Sequence, residues 1–240
     1  MLADETKPEP EGAESQGTTP ARVVVQAEAR AWLRANPAQP TDAVVTSLPD
    51  ISELPELGPG LSGWQNWFVE TAGELLCWTA PGMPCLFFQS DVRHHGRWID
   101  KSYLVQKAAE QAGATLVFHK IVCRHAPGTL TQGRASYSHL LALVRGAELI
   151  PRKPSADVLP DAGAMSWSRA MGARACEAAC RFLLAETPAR RVVDPFCGKG
   201  SVLAIANALG LDALGVELSA KRCRAARKLT AASLTDSSPP

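Results

Sequence analysis

No stretch of this 240-residue chain approaches the ~20 consecutive apolar residues that crossing a bilayer requires. The acidic amino end also lacks the basic start and apolar centre of a secretory signal. An intracellular, cytoplasmic protein is therefore expected. No two of the seven cysteines (77, 85, 123, 176, 180, 197 and 223) form a Cys-x-x-Cys pair, and Cys176 and Cys180 have no His or Cys partner at metal-ligand spacing, so free thiols and no metal site are expected. One helical turn apart, Cys176 and Cys180 read as core packing. Net charge of either sign is missing overall, at +1, and there is no internal repeat. Residues 1–20, rich in Glu, Pro, Thr and Gly without periodicity, and the Ser/Pro end from 234 are expected to be disordered tails. That leaves residues 21–233 as one domain, and 46% apolar content suffices for a single core.

What the chain does have is concentrated near its carboxyl end. Val192 and Val193 read as a buried strand, Asp194-Pro-Phe-Cys-Gly-Lys-Gly-Ser201 as a tight turn, Ser201–Leu209 as a helix and Gly215-Val-Glu217 as the end of a second strand. Gly198 and Gly200 allow the backbone to turn and to approach a ligand that a Cβ would hold off. The helix start directs free N–H groups into the turn. Glu217, 17 residues after Gly200, stands where a parallel-sheet nucleotide site needs an acceptor for ribose hydroxyls. A dinucleotide fold would show Gly-x-Gly-x-x-Gly, but position 203 is Leu203, so a nucleotide cofactor other than NAD is indicated.

Asp194-Pro195-Phe196-Cys197-Gly198-x-Gly200-Ser201 resembles the first motif of class I methyltransferases, especially those acting on nucleobases. The resemblance implies S-adenosyl-L-methionine as cofactor, held by this motif and by Glu217 as the ribose-binding acid. The motif falls at residues 191–217 of 240, so the substrate half of the sheet must precede it. Upstream, strands read at 22–26, within 42–50 (a short strand ending in a proline turn), 84–90, 115–122 and 138–144, with helices at 27–35 and 102–112. With 191–195 and 212–217 they make seven strands, an α/β Rossmann-like methyltransferase sheet with helices on both faces. The order resembles that of the circularly permuted beta group. There, Asp/Asn/Ser-Pro-Pro-Tyr/Phe aligns the target amine, which places Ser47, Leu48, Pro49 and Asp50 in the catalytic loop. Leu48 replaces the first proline of that pattern and Asp50 its aromatic. Ser47 Oγ and the Leu48 carbonyl would accept amine hydrogens, or Asp50 would take a proton as general base; a plain turn is the other reading. A helix reads at 165–184, and the resemblance makes Ser166, Trp167 and Gly172 at its start candidate contacts to the methionine moiety; Trp167 reads equally as a hydrophobic anchor.

Between 92 and 153 there are ten Lys or Arg against three Asp or Glu, and all five histidines. Arg93, Arg97, Trp98, Lys101 and Arg124 fall in or beside two loops that follow strands, where cations would contact phosphates and Trp98 would stack on a base; a solvated basic face is the alternative. His94 and His95 make a poor metal pair, because adjacent side chains in extended chain point apart. An RNA methyltransferase is the leading expectation, since the link between the strand at 138–144 and the 165 helix is too short for the target-recognition domain of sequence-specific DNA enzymes. A DNA or small-molecule methyltransferase, or a cofactor-binding partner module without catalysis, remains open.

Overall fold

The computed structural model describes residues 19–54 and 60–235. The first 18 residues of the expected amino-terminal tail lie outside them. The expected tail from 234 is corrected in part: Ala231–Thr235 is a short helix, with Leu234 fully buried.

Among the described residues, eight strands form the main sheet. Arg22–Gln26 (β1) is followed by helix Ala29–Ala35 (α1), whose start is capped by the Glu28 carboxylate accepting from the Arg30 and Ala31 amides. Asp42–Thr46 (β2) is buried at every position, as a strand covered on both faces must be. The strand ends at Thr46 and gives way to the expected proline turn, since Pro49 and the 3₁₀ turn at Ile51–Glu53 cannot continue a ladder. Helix Leu61–Trp78 (α2), absent from the sequence reading, fills the gap before Pro84–Gln89 (β3). A separate hairpin, Val92–His94 (β4) with Arg97–Ile99 (β5), leads into helix Lys101–Ala112 (α3). Ala114–Cys123 (β6) and Tyr137–Arg145 (β7) then pair antiparallel, and Val158–Leu159 (β8) adds a short edge. Helix Ala173–Glu186 (α4), strand Arg191–Asp194 (β9), helix Ser201–Ala208 (α5), strand Asp212–Glu217 (β10) and helix Ala220–Lys228 (α6) complete the fold.

The strand order is β1-β10-β9-β2-β3-β7-β6-β8, with only β7 running against the others. Along β2, Ala43 and Val45 join the core beneath α4, α5 and α6, while Val44 joins the core beneath α1, α2 and α3. That alternation buries both faces. The chain after β9 turns to one face as α5 and the chain after β2 to the other as α2. Two adjacent parallel strands whose following helices part in this way leave a crevice at their carboxyl ends. At the opposite end the strands are clamped by a bidentate pair: Arg191 Nε and Nη2 each donate to a carboxylate oxygen of fully buried Asp42 at 2.7 Å.

Candidate active site

A cavity of about 630 Å³ opens at the boundary of β9 and β2, within the range of small-molecule and cofactor sites. Its β9 side is lined by Asp194, Pro195, Phe196, Cys197, Gly198, Lys199 and Ser201. Gly198, at φ +53°, has nothing within 4 Å of where a Cβ would stand, so the turn leaves open space toward the crevice. Gly200 is corrected: it does not line the cavity. At φ +84° it lets α6 pack close, since a Cβ there would lie 2.9 Å from Ala226 Cβ and 3.0 Å from its Cα. Asp194 is buried, and burial pushes its carboxyl up to about 7 even though Thr46 Oγ1 (2.7 Å) and the Phe196 amide (3.1 Å) both donate to Oδ1. Burial also drives the Cys197 thiol far up, which leaves it protonated and unreactive.

Glu217, at the end of β10, faces the cavity with Oε1 accepting from the Ser219 amide at 2.7 Å. Trp167 lines the same cavity, under the Arg222 guanidinium at 5.0 Å from its ring centre. Ser166 Oγ lies 2.9 Å from Ser201 Oγ, and Lys199 Nζ donates to the Ser166 carbonyl. These contacts come from irregular chain, because the expected helix from 165 begins only at Ala173. Gly172 precedes it, packed so closely that a Cβ would meet the Ala162 carbonyl oxygen at 2.0 Å; its lack of a side chain serves that contact, and it does not line the cavity.

On the β2 side, Ser47, Leu48 and Pro49 line the cavity. Asp50 does not. Its carboxylate forms an ion pair with Lys101 Nζ, and its amide donates to Glu53 Oε2 at 3.1 Å. The place beyond Pro49 is taken by Glu53, Leu54 and Trp67, with Arg169 across from them. The sequence reading missed these residues. Trp64, Trp67 and Phe68 at helical spacing were the signal for α2, and the structure places Trp64 and Phe68 in the core and Trp67 at the cavity, edge-to-face with Phe196 at 6.1 Å.

None of Arg93, Arg97, Trp98, Lys101 or Arg124 lines the cavity. Lys101 is corrected as a phosphate contact: it is 3% exposed and committed to Asp50. Arg124 spends Nη2 on the Ser168 carbonyl at 2.7 Å, bracing the segment that carries Trp167 and Arg169. The first basic loop is the β4–β5 hairpin, turned by His95 (φ +47°) and Gly96 (φ +76°). Arg93 and Arg97 are exposed on it, and Trp98 is 44% exposed with Arg93 5.1 Å from its ring centre. Val92 bridges to Arg134, which joins the hairpin to the loop after β6. Beneath it, buried Asp91 accepts from the Lys101 amide at 2.9 Å and Trp98 Nε1 at 3.1 Å, with His139 Nε2 at 3.2 Å; burial opposes its charge, yet these partners hold its carboxyl below the usual range. Asp91, Asp100 and His139 each offer a ligand atom within 4.8 Å of the others, but Asp91 is already engaged by these donors and Asp100 caps α3 through Ser102 and Tyr103.

Neither a protein-family profile nor a curated protein matches this sequence. Solved structures do match its fold. A Thermus thermophilus protein assigned as a DNA modification methylase, complexed with S-adenosyl-L-methionine, superposes at TM-score 0.67 with 20% identity over 90% of this chain and 96% of its own. The cytosine-N4-specific PvuII DNA methyltransferase matches at TM-score 0.65 with 13% identity, covering 92% of this chain and 94% of that one. The M1.HpyAVI complex with S-adenosylmethionine matches at TM-score 0.58 with 15% identity, covering 86% and 98%. The chain has the fold of these methyltransferases.

Proposed function

We propose that the chain is an S-adenosyl-L-methionine-dependent methyltransferase acting on nucleic acid, with β9 and β10 holding the cofactor and the 47–54 segment holding the acceptor base. The strand order reads as a circular permutation, with the acceptor half of the sheet before the cofactor half. The observation that carries the proposal is the crevice itself. Gly198 lines it with open space where a Cβ would stand, Asp194 and Glu217 face it from the two cofactor strands, and it lies where the helices that follow β9 and β2 part. Bound there, the cofactor supplies an electrophilic methyl on a sulfonium. The chain's own residues align and shield: Glu217 offers ribose hydroxyls its Oε2, which lies 3.9 Å from Arg222 Nη1, while Ser47 Oγ and the Leu48 carbonyl accept hydrogens from an acceptor amine and turn its lone pair inward.

Asp50 now reads as a positioning group rather than a base, because its carboxylate is committed to Lys101. Exposed Arg93 and Arg97, with Arg134 bridged to the same hairpin, are proposed to contact phosphates, with Trp98 at their centre. The DNA-directed names of the solved neighbours favour DNA as the substrate. One observation favours RNA as a second reading: residues 146–172 hold only β8 and the segment around Trp167, with no room for a separate sequence-reading domain.

Calorimetry with S-adenosylmethionine, followed by tritiated methyl transfer to matched DNA and RNA, tests the proposal. Cofactor binding with label in DNA is expected. No binding removes the proposal, and label confined to RNA reverses the order of the two substrates. Each phosphate neutralised contributes a log–log salt slope of about −0.7 for a single strand, so Arg97→Ala is expected to flatten the slope by about one contact.

A further inference from the structure

Beyond Ser47, the crevice ends against an acid, a cation and an aromatic ring: Glu53, Arg169 and Trp67. Glu53 sits on the 3₁₀ turn after the Ser47 loop, with its orientation fixed by Oε2 accepting from the Asp50 amide at 3.1 Å. Its Oε1 stands 3.5 Å from Arg169 Nη1, and the same Nη1 reaches Ser52 Oγ at 3.4 Å. Both contacts are long, and the two side chains remain 23% and 32% exposed. A structural ion pair at full strength would be shorter and bidentate. Here the carboxylate keeps a free lone pair on each oxygen, and no hydrogen bond from the Arg169 Nε or Nη2 appears among the described residues.

We propose, building on the methyltransferase reading, that this pair selects guanine as the acceptor base. A carboxylate next to a guanidinium offers two acceptors followed by donors. The complementary ligand edge carries two adjacent donors and then an acceptor. Guanine alone among the bases has that order, in its exocyclic amine, ring N–H and keto oxygen; one amine hydrogen then goes to Glu53, and Ser47 Oγ or the Leu48 carbonyl accepts the other. Adenine offers one donor and one acceptor along this edge, cytosine one donor and two acceptors, and uracil or thymine a single donor between two acceptors. Trp67, held edge-to-face by Phe196, supplies a stacking surface for the ring, one that the Ser47 to Asp50 loop lacks because Asp50 is not aromatic and is turned to Lys101.

The test is fluorescence anisotropy with single-stranded thymine oligonucleotides carrying one central guanine, inosine, adenine or cytosine, with and without S-adenosylhomocysteine. Inosine keeps the ring N–H and keto oxygen and lacks only the amine. Guanine is expected to bind at least about tenfold tighter than inosine, the loss that follows removal of one charge-assisted hydrogen bond. Glu53→Gln places an amide where an acceptor stood and is expected to bring the two within about twofold of each other. Arg169→Gln is expected to weaken guanine and inosine alike, since both keep the keto oxygen, and this second variant leaves the Glu53 turn intact. Equal binding of guanine and inosine by the wild type, tighter binding of adenine or cytosine, or a guanine preference that survives Glu53→Gln overturns the assignment. The anisotropy does not depend on the cofactor. A wild type that prefers guanine but fails to bind S-adenosylmethionine therefore overturns the methyltransferase reading and leaves the pocket assignment standing.

Discussion

At one end of the crevice, Asp194, Gly198, Ser201 and Glu217 belong to a single run of strand, turn, helix and strand. At the other, Ser47, Glu53, Trp67 and Arg169 are spread along the chain and meet only because the sheet brings β2 beside β9. The first end is set by local backbone geometry, in which a glycine at positive φ is required whatever packs around it. The second depends on long-range packing: α2 must lie on its face of the sheet for Trp67 to reach the cavity, and the 160–172 segment must cross over for Arg169 to face Glu53. A change at the first end should therefore alter ligand binding by itself, and a change at the second should alter alignment.

The largest expected effect is at an ion pair that joins the strands of both ends. Arg191 on β9 and Asp42 on β2 form the clamp below the crevice, and Asp42 is fully buried. Arg191→Met leaves that carboxylate without its charged partner, a loss of about 3–5 kcal/mol for a broken buried pair. Chemical denaturation is expected to show this loss, with cofactor and acceptor binding falling together at temperatures near the new midpoint. Loss of one function with the other intact would mean that the two ends do not share this clamp.

Next in size is Glu217→Ala. The variant gives up a charged acceptor facing the cavity, and S-adenosylmethionine affinity is expected to fall by about 1.5–3 kcal/mol. Oligonucleotide affinity is expected to hold. Because Glu217 also accepts from the Ser219 amide at the start of α6, Glu217→Gln serves as the companion variant that keeps an acceptor there. A fall in oligonucleotide affinity equal to that in cofactor affinity would erase the distinction between the ends.

Lys101→Met addresses the second end alone. It frees Asp50, whose amide orients Glu53 and whose loop carries Ser47. Cofactor affinity is expected to stay, while turnover falls about tenfold or more, since small misplacement of an aligning group costs up to ~10² in rate. Asp50→Asn is expected to match it. An Asp50→Asn variant far slower than Lys101→Met would restore the carboxylate as a base, and full turnover in both would reduce the loop to a plain turn.

The same contrast decides what could be read from sequence. The motif over 191–217 is legible because its glycines, its terminal acid and its strand residues are neighbours along the chain. Strands β1, β3, β6, β7, β9 and β10 fell within a residue or two of expectation for a similar reason, their β-branched and apolar runs being bounded by turns. The basic strip was visible as charge, but charge does not reveal direction. Lys101 lies at the buried start of α3 and serves Asp50, while Arg97, four residues earlier, stands exposed on the hairpin. Helix α2 was missed because Gln65, Asn66, Thr71 and Gly73 interrupt the run that Trp64, Trp67 and Phe68 begin at helical spacing, and with it went Trp67. The start of α4 was misplaced by eight residues, because the packing of Gly172 against Ala162, which stops the helix there, is a contact between loops that propensity does not encode.

The smallest expected effect would sharpen the account of the first end. Burial raises the Asp194 carboxyl to about 7, against the pull of Thr46 and the Phe196 amide. In the ligand-free protein this group is protonated at pH values where an unfolded chain would carry it ionised, near the ordinary carboxylate range of about 4. Its contribution to stability is therefore fully present below pH ~4 and is lost as pH rises toward about 7. A cationic cofactor reverses the preference, because an ammonium or sulfonium beside Asp194 favours the charged form. Cofactor affinity is thus expected to rise with pH through about 7, by roughly tenfold between pH 6 and 8, as one unit of pKa corresponds to about 1.4 kcal/mol. Asp194→Asn, which keeps the shape and cannot ionise, is expected to bind more weakly at pH 8 and to show no such rise. Calorimetric titration across the pH series reads both. A wild-type affinity that stays flat from pH 6 to 8 would place Asp194 outside the charge recognition of the cofactor, leaving that role to the other acids lining this end, Glu217 and Glu28.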